Sequence, residues 1–110
     1  MDCTASGSDF AAIAFAALSQ PTRLEALRLL VRAGPDGLTA GTIAARLGVV
    51  SSTLSHHLAQ LERAGLARAR RQGRFVYYTA DPDGTRRLLD CVTAACTTPA
   101  AAPAAALTLP

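Results

Sequence analysis

Two sets of residues in this chain have types and spacing that could do chemistry. The first is a run of short hydroxyl and imidazole side chains, Ser51, Ser52, Ser55 and His56, followed by Gln60 and then by Arg70, Arg71 and Arg74. Hydroxyl, amide and imidazole groups can exchange hydrogen bonds with base edges, and guanidinium forks match phosphate geometry. The second set is three cysteines, Cys3, Cys91 and Cys96. Thiolates are soft donors suited to thiophilic ions, and paired thiols can be oxidised. Neither histidine has a persuasive nucleophile or metal constellation, and there is no phosphate-binding loop. The residues argue against an enzyme.

The placement of charge supports the first set. The chain has 110 residues, 11 arginines, no lysine and 8 acids, for a net charge of +3. Residues 46–78 hold six of the arginines and one acid, Glu62, a local charge of +5, so the remainder carries −2. A basic segment of this kind supplies salt-sensitive, sequence-independent affinity for phosphate backbones. The length allows one domain with a small core, for which a stable partner subunit is expected. Half the residues are apolar, which excludes a disordered chain, and three cysteines are too few for a disulfide scaffold.

Compartment follows from two further features. No apolar run approaches the roughly 18 residues needed to cross a bilayer. The longest, Phe10–Leu18, is closed by Gln20-Pro21, and the residues before it include Asp2 and Asp9 and no base, unlike a signal peptide. An odd number of cysteines fits thiols in a reducing compartment. The expectation is a cytoplasmic protein with no membrane contact.

The elements that must position these residues read as follows. Residues 1–8 are small and polar and are expected to form a flexible arm. Ser8 or Asp9 caps a first helix to about Leu18 that is apolar nearly all round, as suits a core or an interface. Pro21 suits the first turn of a second helix, in which Leu24, Leu27, Leu30 and Val31 keep the helical period. Gly34-Pro35-Asp36-Gly37 breaks the chain. Thr39 caps a third helix over Ala40–Leu47, closed by Gly48, and a fourth runs from near Ser51 to Ala64, closed by Gly65. Two short helices joined by about three residues that include Gly form the helix-turn-helix pattern.

In the fourth helix Leu54, Leu58 and Leu61 share one face, and His57 falls on it too, as a packed core histidine. His56 points the other way with Ser52, Gln60 and Arg63. Leu66–Arg71 and Arg74–Thr79 read as two strands around Gln72-Gly73, a basic hairpin or wing. Tyr77 and Tyr78 alternate faces, so one packs while the other is exposed. Asp81-Pro82 opens a last helix ending near Cys96, and the uncharged Ala/Pro stretch 97–110 is expected to be a disordered tail. The fold class expected is mainly α, a winged helix-turn-helix of order α-α-α-α-β-β-α over residues 9–96.

Three segments make the chain resemble the ArsR/SmtB family of bacterial winged-helix repressors: ALSQPTRLEALRLL (Ala17–Leu30), IAARLGVVSSTLSHHLAQLERAGL (Ile43–Leu66) and RRQGRFVYYTA (Arg70–Ala80). The likeness covers roughly residues 12–96. It implies a homodimer joined through the first and last helices. It also implies repression of a double-stranded operator with two-fold character, relieved by an inducer. On this reading Ser51, Ser52, Ser55, His56 and Gln60 face DNA, with Arg70, Arg71 and Arg74 on phosphate or in the minor groove. One departure is Val50, where the family often has a capping serine; Ser51 is expected to cap instead.

The resemblance also frames the inducer. The family's arsenic site at the start of the third helix would need cysteines at Thr39 and Gly41, and its zinc site on the last helix needs histidine, where this chain offers only Asp83 and Asp90. What remains is Cys91 and Cys96, similar to the C-terminal cysteine sites of some arsenical and antimonite sensors, with Cys3 as a third thiolate. No cofactor is obligatory; As(III), Sb(III) or an organoarsenical would be the inducer. Geometry restrains this reading. Five residues set Cys91 and Cys96 about 140° apart and roughly 7.5 Å along a regular helix. One ion then requires an unwound end or a site across subunits. Two other readings stand beside it: a persulfide or oxidant sensor through a Cys91–Cys96 link, and a family member with no ligand, in which Cys91 is an interface residue.

Overall fold

Leucine spacing dictates the core. Leu30, Ile43, Leu54, Leu58, Leu61 and Leu66 are wholly buried, and taking a side chain of this size out of water contributes about 1.5–3 kcal/mol. The computed structural model describes residues 5–93. Its order is α1 (Ala5–Leu18), α2 (Pro21–Ala33), a 3-10 turn (Gly34–Asp36), β1 (Leu38–Thr39), α3 (Ala40–Leu47), α4 (Ser51–Arg63), β2 (Ala67–Gln72), β3 (Phe75–Ala80) and α5 (Pro82–Thr93). This is the mainly helical winged helix-turn-helix expected. Cys3, Cys96 and the tail 97–110 lie outside the described residues.

Local chemistry sets each boundary. The Gln20 side chain accepts a hydrogen bond from the Arg23 amide at 3.1 Å ahead of Pro21, starting α2. Thr39 accepts from the Thr42 amide to start α3, and Gly48, at φ +67°, closes it. Two boundaries differ from expectation. α1 begins at Ala5, inside the segment read as an arm, and runs through Gly7 despite that residue's poor helix propensity. In α4 the capping position is Val50, which makes no side-chain bond, and Ser51 is the first helical residue rather than the cap.

The end of α4 is well defined. The Gly65 amide donates to the Glu62 carbonyl and the Leu66 amide to the Leu61 carbonyl, both at 3.0 Å. This pair of bonds is the Schellman motif, and it needs the left-handed backbone that Gly65 supplies at φ +81°. The chain therefore turns sharply from α4 into the hairpin, with no loop to loosen the connection.

The sheet has three antiparallel strands in the order β1-β3-β2. β1, paired through Leu38–Tyr78 and Thr39–Tyr77, was not foreseen, since two residues carry no readable period. The hairpin sits one residue later than expected. Gln72 pairs with Phe75, so Gly73 and Arg74 form the turn, with Gly73 at φ +64°. A two-residue hairpin loop favours positive φ at its first central residue, which selects Gly73 over Gln72 for that position. Tyr78 packs against the core, whereas Tyr77 lies on the opposite face beneath Arg70.

Candidate nucleic-acid interface

α3 and α4 pack on each other, joined by Gly48, Val49 and Val50. α4 divides cleanly. Leu54, His57, Leu58 and Leu61 are buried, and Ser51, Ser52, Ser55 and His56 are exposed. The exposed residues occupy the first two turns, where side chains are short and the backbone can come close to a surface. With no side-chain cap at Val50, the first amides of α4 are left to solvent or to an anion. The first four residues predicted to face DNA therefore share one uncovered surface. Gln60 does not join it fully, because it is half-buried where α1 meets α4.

The hairpin sorts its arginines. Arg71 and Arg74 are exposed at the tip. Arg70 is folded back: its guanidinium donates to the Pro35 and Asp36 carbonyls at 3.4 and 3.2 Å and lies over the Tyr77 ring, 5.6 Å from its centre. Arg68 is held at the base by Asp81 at 3.1 Å and by Asp83 at 3.6 Å. Strand alternation explains the split. Arg68 and Arg70 share the face that meets the 3-10 turn and the start of α5, and Arg71 is on the other face. Sequence reasoning placed Arg70 with Arg71 and Arg74 because the acceptors for Arg70 come from 34 and 35 residues away.

His57 is the packed histidine expected, 9% exposed. Its Nδ1 faces an Arg23 guanidinium nitrogen at 3.3 Å, and Arg23 Nε donates to the Ala17 carbonyl at 2.6 Å. Burial, then the Arg23 charge, then His56 hold the His57 imidazole below its ordinary value. Sequence reasoning assigned Arg23 no role.

The third feature is apolar. α1 packs against α5, with Arg87 over the Phe10 ring at 4.3 Å. These two helices leave Ile13, Phe15, Leu89 and Val92 about half exposed or more. Cys91, on α5, is partly buried beside this surface. Among the described residues no three His, Cys, Asp or Glu side chains gather as a metal site, and no helix is long and apolar enough to cross a membrane.

Comparison with known proteins gives a consistent picture. Residues 18–70 match a helix-turn-helix domain family. The transcriptional repressor SdpR of Bacillus subtilis is 42% identical over 65 residues, spanning 59% of this chain and 69% of the relative. An ArsR-like transcriptional regulator from Rhodococcus sp. RHA1 superposes with a TM-score of 0.70 at 31% identity, covering 79% of each chain. The homodimeric winged helix-turn-helix DNA-binding domain of Mb0332 from Mycobacterium bovis, a possible ArsR-family regulator, gives 0.67 at 31% identity over 86% of each chain.

Proposed function

This chain belongs to the ArsR-like family of helix-turn-helix transcriptional regulators, and from that premise we propose that it is a cytoplasmic, homodimeric repressor released from its operator by a thiophilic inducer. The observation that carries the DNA-binding part is the uncovered face of α4, Ser51, Ser52, Ser55 and His56, set beside exposed Arg71 and Arg74 on the hairpin. Hydroxyl and imidazole groups on the first turns of a groove-binding helix read base edges. The hairpin arginines hold the flanking phosphates and fix register. Regulators of this kind carry no catalytic machinery, and none is needed here.

Ile13, Phe15, Leu89 and Val92 support a second copy as the partner. Apolar side chains left in water on the two helices that pack together are costly, and a two-fold interface buries such groups from both sides at once. Two copies present two recognition helices, which suits an operator of two half-sites.

For the inducer, trivalent arsenic or antimony held by Cys91, Cys96 and Cys3 is the proposal that the thiol set supports, because As(III) and Sb(III) favour sulfur over oxygen donors. A site there would act on α5, the interface helix, and thereby on the spacing of the two α4 helices. The test is direct. Arsenite, antimonite and methylarsenite are each added to the protein on a duplex it has selected from a random library. Dissociation that Cys91→Ser abolishes supports the metalloid reading. Persistence of the complex with all three contradicts it, and dissociation by persulfide alone would move the assignment to thiol oxidation.

A further inference from the structure

We infer that Arg23 and His57 form a latch that sets the pose of α4 from the α1–α2 corner, and that a proton on His57 opens it. The inference rests on the reading of α4 as the DNA-reading helix. It adds two positioning residues that do not touch DNA and a dependence of DNA affinity on pH.

The latch spans three helices. Arg23 lies in the first turn of α2, where its own amide is fixed by the Gln20 side chain at 3.1 Å. Its Nε reaches back to the Ala17 carbonyl in the last turn of α1, one of the acceptors a helix end leaves unsatisfied. Its other arm reaches Nδ1 of His57 on α4. A guanidinium only donates hydrogen bonds and keeps its proton under all relevant conditions, so Nδ1 must offer a lone pair and the ring proton must sit on Nε2. His57 is therefore neutral when the latch is closed.

Protonation reverses the interaction. Nδ1 would then carry a hydrogen aimed at a donor, and an imidazolium would stand 3.3 Å from a guanidinium. Relief requires either that Arg23 release Ala17 or that α4 shift. His57 is one residue from exposed His56 and two from exposed Ser55. Any rotation that frees His57 from Arg23 also re-aims the reading face. Base contacts tolerate little displacement, so the DNA-reading face would lose its fit first.

The electrostatic surroundings favour a switch in this direction. Arg23 from α2 and His56 from α4 itself act on His57, and both disfavour its charge. α1 presents the Ala17 carbonyl, already bonded to Arg23. Arg46 of α3, Arg68, Arg70 and Arg71 of β2, and Glu62 and Arg63 further along α4 are exposed and do not shift it. Among the described residues no carboxylate stabilises the charged ring. The folded chain thus resists the proton while the unfolded chain accepts it near the ordinary value of about 6.5. Stability and pose are complete above that value and are lost as pH falls below it toward the folded value.

The test compares wild type with His57→Asn, whose side-chain oxygen can stand where Nδ1 stands but cannot take a proton. Binding to the selected duplex is measured at about pH 7.5 and about pH 5.5. His56 is present in both proteins, so its own titration against phosphate cancels. The latch predicts that wild-type affinity falls on acidification more steeply than that of His57→Asn. Parallel curves for the two proteins overturn it. In case His57→Asn does not fold, the histidine rings of wild type are titrated by proton NMR. The His57 midpoint should lie below about 6.5 and should rise toward it in Arg23→Gln. A wild-type midpoint at or above that value overturns the latch as well. A chain with no preference for any duplex at either pH overturns the DNA-reading role on which the inference stands, an outcome distinct from parallel binding curves.

Discussion

Gly84 of α5 rests directly on the backbone carbonyl of Gly65, the residue that turns α4 into the hairpin. A Cβ at position 84 would collide with that carbonyl, and backbone cannot step aside as a flexible side chain can. This contact fixes how closely α5 approaches the end of α4. Gly84→Ala should destabilise the fold by about 1–3 kcal/mol despite alanine's better helix propensity. Urea denaturation measures it; an unchanged or raised midpoint would show that α5 does not need this approach.

Asp81 ties the hairpin to α5. One carboxylate oxygen accepts from the amides of Asp83 and Gly84 at 3.0 and 3.1 Å, capping α5, while the carboxylate pairs with Arg68 at 3.1 Å. Burial works to raise its pKa, but the Arg68 hydrogen bond and the two amides outweigh burial and hold the group below the usual carboxylate range. A depressed folded value gives stability that is full above the unfolded value of about 3.9 and lost as pH falls through the folded one. Asp81→Asn keeps a capping oxygen and loses the charge. It should be less stable than wild type at neutral pH, with the difference shrinking in acid below about pH 4. A difference that stays constant down to acid unfolding would remove the charge from the account.

Neighbouring arginines on β2 should behave differently. Arg71→Ala should weaken binding to all duplexes and lower the slope of log affinity against log salt by about one. Arg70→Ala should leave that slope unchanged, because its guanidinium is committed to the Pro35 and Asp36 carbonyls and the Tyr77 ring. Equal slope changes for the two would show that Arg70 leaves its carbonyls and binds phosphate.

Ser55→Ala and His56→Ala should reduce discrimination between the selected duplex and random DNA by about 1–3 kcal/mol each if each reads a base edge. The measurement is a pair of dissociation constants on the two duplexes. Equal losses on both would assign these residues to phosphate instead.

Much of this architecture was legible because it rests on local signals. The leucine period of α4, the Thr39 and Asp81 caps and the Gly48 and Gly65 stops all lie within a few residues of what they control. What was not legible depends on distant partners. Arg68, Arg70 and Arg71 look alike in sequence, and only strand alternation together with the 3-10 turn and Asp81 separates them. Arg23 stands in sequence among other α2 charges such as Arg28 and Arg32, and nothing local marks it, since its partners are the end of α1 and a histidine 34 residues away. The missing cap at Val50 was visible, but the expected remedy at Ser51 was not taken. Val50 adopts the extended backbone of a capping residue without supplying the side-chain bond. Gln60 was assigned by its angle on α4, which is right for the helix but ignores α1 lying across it.

The central claim is that the exposed face of α4 and the hairpin tip read DNA as a pair of copies. Its most direct measurement is titration of the protein onto its selected duplex and onto a random duplex of equal length, with stoichiometry from analytical ultracentrifugation. The account predicts two chains per selected duplex and a preference over random DNA of about a thousandfold or more at physiological salt. Equal affinity for the two duplexes, or one chain per duplex, would contradict it.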